Sequence, residues 1–100
     1  MHDYILLMHD DAGETAGADR QAAWGRYLET LGKSGRFLGG SAVGGGRCYA
    51  ASGVTKEITA HITGYLRVQA ASLEEARKFL EGNPVFEAGG TVEIRELPAS

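Results

Sequence analysis

The sequence predicts a single α+β domain with the element order strand–helix–strand–strand–helix–strand. Apolar or alternating runs mark strands near both ends and in the middle of the chain, and two stretches of helical periodicity separate them. Clustered glycines mark the turns. Two β-α-β halves in this order form a ferredoxin-like, four-stranded antiparallel sheet, and right-handed crossovers place both helices on one face. Residues 1–100 are long enough for one such domain.

Two contrasting patterns predict the first strand and the first helix. Residues 4–8 form an apolar run that is too short for a typical helix and apolar on both faces, which predicts a buried strand. Residues 19–34 repeat apolar side chains at helical spacing, with Asp19 or the earlier Thr15 as the N-cap. The apolar stripe comprises Ala23, Trp24, Tyr27, Leu28 and Leu31.

The middle of the chain predicts an antiparallel hairpin with a long tip. Residues 36–43 read as its first strand, which the glycines at 44–46 interrupt and residues 47–51 can continue. Residues 55–70 contain a long alternating segment. Ile62, Gly64, Leu66 and Val68 share one side of it, whereas His61, Thr63, Tyr65, Arg67 and Gln69 share the other.

The C-terminal third predicts the second helix and the last strand. Ser72 and Glu75 form a capping box that opens a helix over residues 73–80. Gly82 ends this helix, and Asn83-Pro84 redirects the chain. Residues 85–90 form a connector with one buried turn at Val85 and Phe86, and residues 91–97 alternate as the last strand.

Composition excludes several classes of function. The net charge of −3 and the scattered basic residues argue against nucleic-acid binding. No apolar run approaches the roughly 20 residues of a membrane span, and no export signal begins the chain, so we expect a cytoplasmic protein without a membrane partner. Cys48 is the single cysteine, which excludes an intrachain disulfide and a cysteine-based zinc site.

The first strand, together with the uncovered face of the sheet, predicts a homodimer. The first strand is apolar on both faces, so its second face needs a cover that two helices on the opposite face cannot supply. A second copy laid across the sheet would supply it. We therefore expect two sheets that face each other, with mixed polar and apolar residues between them.

Two histidines are candidates for acid–base chemistry. His9, at the end of the first strand, either lines a pocket or is a solvent-exposed strand end. Its neighbour Asp10 points to the opposite face of the sheet. His61 serves a pocket, is an exposed hairpin residue or contacts the second copy. No histidine pair has metal-ligand spacing, so no metal site is predicted. The glycine runs are flanked by strands and lack the helix of a phosphate loop, so no cofactor is predicted.

Several segments together resemble a known family. These segments are residues 62–68, the cap and helix start at 72–76, the stretch from Asn83-Pro84 to Arg95, and residues 24–40. They look like the YCII-related family, in particular its DGPF-domain branch. The resemblance implies a dimeric α+β barrel built from ferredoxin-like protomers, in agreement with the pattern analysis.

The resemblance carries little chemistry over to this chain. Some YCII-like members pair a histidine on the first helix with an aspartate in an Asp-Pro turn, and these positions fall at Trp24 and Asn83 here. Neither side chain is an acid or base at neutral pH. The DGPF signature is absent as well, since the nearest segment, residues 52–57, keeps only its Thr-Lys-Glu end.

Two functions remain as hypotheses. The first is a protein that binds a small organic molecule in a pocket between the first helix and the sheet, with Trp24, Tyr27, His9, His61 and Asn83 around it and Tyr65 and Arg67 as further ligand-binding residues. Trp24 and Tyr27 are alternatively core residues alone. The second is a cofactor-free enzyme, similar to isomerases, lyases or monooxygenases, that acts on a small organic acid or aromatic ring.

Overall fold

The computed structural model describes residues 1–13 and 17–99, and for residues 17–19 it describes the helical backbone alone. The elements follow the predicted order, with one short helix added. The strands are β1 (His2–His9), β2 (Phe37–Ala42), β3 (Ile62–Ala70) and β4 (Val92–Leu97). The helices are α1 (Gly17–Lys33), α2 (Leu73–Arg77), which continues into a 3-10 turn (Lys78–Leu80), and α3 (Pro84–Glu87).

The four strands form one antiparallel sheet in the order β2-β3-β1-β4. Strand β1 is central, and its Leu6 lies opposite Leu66 of β3 and Ile94 of β4. Strand β2 pairs with β3 at the edge, with a bulge between Phe37 and Gly39. This order confirms the predicted ferredoxin-like fold.

The core lies between one face of the sheet and the helices. Alternate residues of β1 and β3 point to this face, as the period of a strand requires. They meet the apolar side of α1 and the buried residues of the C-terminal helices. The buried apolar residues are Tyr4, Leu6, Met8, Tyr27, Leu31, Leu66, Val68, Ala70, Ala76, Leu80 and Val85.

The opposite face of the sheet, which we call the open face, has no cover within the described part of the chain. Ile5 and Leu7 of β1 are half-buried there, beside the half-buried Tyr65 of β3. The shortest dimension of the molecule is 19 Å, as expected of two layers. Its radius of gyration of 15.0 Å exceeds the value of about 13 Å for a typical domain of this length.

The capping predictions at the second helix are confirmed in part. The hydroxyl of Ser72 accepts the backbone N–H of Glu75 at 3.2 Å, which is one half of the capping box. Gly82 ends the turn after α2 with φ of +82°, a conformation that favours glycine. The capping candidates of α1, Thr15 and the side chain of Asp19, lie outside the described residues.

Three local predictions differ from the structure. Residues 47–51 do not continue β2, and no helix or strand occupies residues 43–61. The connector after Asn83 contains the helix α3, because Pro84 stands at its first turn, where its missing N–H costs nothing. Val85 is buried as predicted, but Phe86 is 47% exposed, because consecutive side chains of a helix point in directions about 100° apart.

Candidate functional site

A cavity of about 550 Å³ lies between α1 and the β2–β3 edge of the sheet, and we call it the sheet–helix cavity. Its volume is within the range of sites for small organic molecules. The half-buried indole of Trp24 stands on its helical wall and meets the ring of Tyr27 edge-on, with centroids 5.7 Å apart. The apolar lining consists of Met8, Trp24, Leu28, Phe37, Leu66 and Val85.

Glycines bring bare backbone to the strand side of the sheet–helix cavity. A Cβ at Gly40 would lie 2.4 Å from the carbonyl oxygen of Tyr65. A Cβ at Gly64 would lie 3.2 Å from the carbonyl oxygen of Ser41 and 3.3 Å from the Cε of Met8. Because neither position accepts a side chain without a shift of its neighbours, no side chain projects into the cavity from Gly40 or Gly64. As strand-flanked glycines, Gly39-Gly40 are predicted to form a bulge or turn; the φ of +117° at Gly39 agrees with this, whereas at Gly40 the close approach of the neighbouring strand is the reason for glycine.

A second concavity of about 780 Å³ runs between α1 and the α2–α3 segment, and we call it the helix groove. Tyr27 lines this groove rather than the sheet–helix cavity. The charged residues that line the helix groove are Arg20, Arg26, Lys78, Glu81 and Glu87. Charged groups of this kind keep water close, so the groove is less suited to an apolar ligand than the sheet–helix cavity.

Tyr27 and Asn83 have clear structural roles. The hydroxyl of Tyr27 donates to the carbonyl oxygen of Phe79 at 2.7 Å, and burial raises the pKa of this phenol. Asn83 is fully buried, and its Oδ1 accepts the backbone N–H groups of Val85 and Phe86 at 3.0 and 3.1 Å, which caps α3. Neither concavity is lined by Asn83.

The amide nitrogen of Asn83 has no hydrogen-bond partner among the described residues. This nitrogen lies near the hydroxyl of Tyr27 and reduces the rise in the pKa of that phenol, but the two groups do not form a hydrogen bond. The residue of α1 that approaches Asn83 is therefore Tyr27, one helical turn after Trp24.

The two candidate histidines meet at the end of β1. The Nε2 of His9 lies 3.1 Å from Oε1 of Glu93 on β4, and the ring of His61 meets the ring of His9 edge-on, with centroids 4.9 Å apart. The side chain of His9 is 21% exposed, whereas His61 is exposed. Neither histidine lines the sheet–helix cavity or the helix groove. The structure thus brings the two histidines together, away from Trp24 and Tyr27.

Carboxylates surround this histidine pair, and sequence analysis missed them. Glu93 also lies 3.6 Å from Nη1 of Arg95, so one of its oxygens faces Arg95 and the other faces His9. Asp11 accepts the hydroxyl of Thr91 at 2.7 Å and its backbone N–H at 2.8 Å, and these two hydrogen bonds lower the pKa of the Asp11 carboxyl. Among the described residues, no group of three or more histidines, cysteines or carboxylates is arranged to hold a metal ion.

The remaining predicted ligand-binding residues are on or near the open face. Tyr65 borders the sheet–helix cavity, but its neighbours Gly64 and Leu66 are the residues that point to the helical side. Arg67 is exposed, with Nη2 3.9 Å from a carboxylate oxygen of Asp3. Arg67 lines neither the sheet–helix cavity nor the helix groove.

Comparisons with known proteins agree with this architecture. The family model of the YCII-related domain matches residues 2–98. Among solved structures, the chain is similar to 5-chloro-2-hydroxyhydroquinone dehydrochlorinase (TftG) from Burkholderia phenoliruptrix AC1100 in complex with 2,5-dihydroxybenzoquinone. The two chains share 20% identity over 98% of this chain and 95% of that one, with a TM-score of 0.60. This similarity shows a common fold.

A further structure, that of CPII from Thiomonas intermedia K12 bound to ADP and bicarbonate, shares 20% identity over 96% of this chain and 85% of that one, with a TM-score of 0.41. No curated protein matches the chain. No helix among the described residues is both long enough and apolar enough to cross a membrane.

Proposed function

The chain belongs to the YCII-related domain family, and we propose that it binds a small planar organic molecule in the sheet–helix cavity. The observation that carries this proposal is the cavity itself, with an indole on one side and bare strand backbone on the other. A flat ring would place one face towards Trp24 and the other towards the glycine-containing strands, since both line the cavity. TftG, which has this fold, holds the ring compound 2,5-dihydroxybenzoquinone in its solved complex, which supports a ligand of this size.

Trp24 allows a direct test, because it is the only tryptophan of the chain. We expect its fluorescence to change saturably when hydroquinone or 2,5-dihydroxybenzoquinone is titrated into the protein. At a ligand concentration of about 100 times the dissociation constant, binding should stabilise the protein by roughly 2.7 kcal/mol in a thermal-shift assay.

The variant Ala42→Phe provides the discriminating control, since Ala42 lines the cavity and the larger side chain would fill it. The matched variant Ala50→Phe places the same ring on the exposed 43–61 segment. Loss of binding in the first variant and not in the second supports the proposal. Equal binding by both variants would refute the location.

The pair of His9 and Glu93 favours a second candidate function, cofactor-free acid–base catalysis on a small organic acid or aromatic ring. A carboxylate 3.1 Å from an imidazole nitrogen orients the ring by a hydrogen bond, as general acid–base catalysis requires. We would measure chloride release from 5-chloro-2-hydroxyhydroquinone with the wild type and with His9→Gln and Glu93→Gln. His2→Gln, at an exposed histidine of the same strand, is the matched control. Turnover that survives both substitutions at the pair would refute this function.

A homodimer is part of both candidate functions. We propose that two copies pair through their open faces, because Ile5 and Leu7 are apolar and only half-buried in the single chain. Pairing would also enclose His9 and Glu93 between the two sheets. Sedimentation at micromolar concentration tests this proposal, and a single species of 10.6 kDa would refute it. Leu7→Lys should dissociate the pair, whereas Leu73→Lys, at a residue 52% exposed on α2, should not.

A further inference from the structure

We propose that the ligand of the sheet–helix cavity is an anionic ring, such as an aromatic carboxylate, and that Arg20 binds its negative charge. This inference rests on the proposed binding function and adds the class of ligand and the residue that recognises it. The argument depends on the position of Arg20 on α1, on the charge of the cavity lining and on the shape of the cavity.

Arg20 stands on the same side of α1 as the aromatic wall of the cavity. Residues four apart on a helix are neighbours on one face, so Arg20, Trp24 and Leu28 form a single stripe, and all three line the cavity. Along this stripe Arg20 lies at one end, Trp24 in the middle and the apolar Leu28 at the other end. A ligand that matches the stripe has a ring next to Trp24 and a negative group near Arg20.

The charge of the lining points to the same class of ligand. Of the described residues that line the sheet–helix cavity, Arg20 alone is charged, although the whole chain has a net charge of −3. Arg20 is exposed and also borders the helix groove, and within the sheet–helix cavity an anionic ligand is the partner that matches its charge. A carboxylate matches the planar, forked donors of a guanidinium, which bind two oxygens side by side.

The shape of the cavity explains why the ligand should be flat at the end away from Arg20. Gly40 and Gly64 leave the strand surface without side chains, and Leu66 and Phe37 extend it with apolar groups. The described lining offers no carboxylate that would repel an anion. The helix groove differs in this respect, because Glu81 and Glu87 are part of its lining.

Matched neutral and anionic rings test the proposal. We would titrate benzoate against benzamide, and 2,5-dihydroxybenzoate against 2,5-dihydroxybenzamide, with Trp24 fluorescence as the readout at neutral pH. Because Arg20 is exposed, its ion pair is partly screened, and we expect the anion of each pair to bind roughly two- to tenfold more tightly. This preference should shrink as the salt concentration rises.

Two variants separate Arg20 from a general effect of charge. Arg20→Gln should bind the anion and the amide of each pair with equal affinity. Arg26→Gln removes the same charge from the same helix, but Arg26 lines only the helix groove, so this variant should keep the preference.

The outcomes distinguish this inference from the proposed function on which it rests. Equal binding of anion and amide by the wild type, or a preference that survives in Arg20→Gln, refutes the role of Arg20 and leaves ring binding intact. Absence of any fluorescence change with all four rings refutes the binding function itself.

Discussion

Gly40→Ala is expected to destabilise the domain, because the strand surface at this position has no room for a side chain. The new Cβ would lie 2.4 Å from the carbonyl oxygen of Tyr65, 2.8 Å from the Cδ2 of Leu66 and 3.0 Å from the Cα of Leu66. Two of these three atoms are backbone atoms of the neighbouring strand, which cannot move aside as a flexible side chain can. The backbone of Gly40 is not in the left-handed region, so the cost arises from contact alone.

The expected size of the effect follows from two opposing contributions. Overpacking of this kind costs roughly 1–3 kcal/mol. Replacing glycine with alanine restricts the unfolded chain and returns about 0.4–1 kcal/mol. At the midpoints of these ranges the net loss in the free energy of unfolding is about 1.3 kcal/mol, which lowers the melting temperature of a 100-residue domain by roughly 5–10 °C.

Gly25→Ala is the matched control, because a Cβ at this position of α1 has no heavy atom within 4 Å. Alanine favours the helix by about 0.5–1 kcal/mol over glycine, so this variant should melt at a higher temperature than the wild type. Both variants are measured by thermal and urea unfolding at one protein concentration, since pairing of copies would make stability depend on concentration. A Gly40→Ala protein that melts at or above the wild-type temperature would refute the close approach of β2 and β3.

Three further substitutions test single contacts. Tyr27→Phe should lose about 1 kcal/mol at neutral pH with its hydrogen bond. Because the pKa of Tyr27 is raised by folding, its protonated phenol stabilises the fold below pH 10.0, and this stability is lost as the pH rises through the raised pKa. The free energy of unfolding should therefore fall less with rising pH above 10.0 in Tyr27→Phe than in Tyr49→Phe, whose ring is 88% exposed. An equal fall in the two variants would contradict the burial of Tyr27. Asn83→Ala should cost roughly 0.5–2 kcal/mol through the lost cap of α3, and urea unfolding that matches the wild type would contradict the capping role. Asp11→Asn should be less stable than the wild type at neutral pH. Because folding lowers the pKa of Asp11, its carboxylate stabilises the fold above pH 3.8, and this stability is lost as the pH falls through the lowered pKa. If the variant and the wild type still differed in stability below that pKa, the charge of Asp11 would not be the cause.

Most of the fold is predictable because it depends on local periodicity. The alternation along residues 62–70 determines which side chains of β3 face the helices, and the structure buries the predicted Leu66 and Val68. The four-residue spacing in α1 likewise buries Tyr27 and Leu31. The short α3 was missed because a helix of four residues has no period to detect, although Asn83-Pro84 is a recognisable cap and first-turn signal.

The candidate site is predictable only in part. Trp24 was selected as a wall of the pocket, and it lines the sheet–helix cavity. Arg20, one turn earlier on the same face, was not selected, although its i, i+4 spacing from Trp24 was available in the sequence. Asn83 was selected from its position after the second helix, but its side chain points to the backbone that follows it and caps α3.

Residue type and local spacing are sufficient to predict the order of the strands and helices, the two faces of the hairpin and the absence of acid–base groups at Trp24 and Asn83. Which distant residues meet depends instead on how the elements pack. His9 and Glu93 are 84 residues apart in the chain, and they come together because β4 pairs with β1 in one particular register. The close approach at Gly40 and the assignment of Trp24 and Tyr27 to different concavities have the same origin, since packing between elements is set by register and helix rotation and not by local pattern.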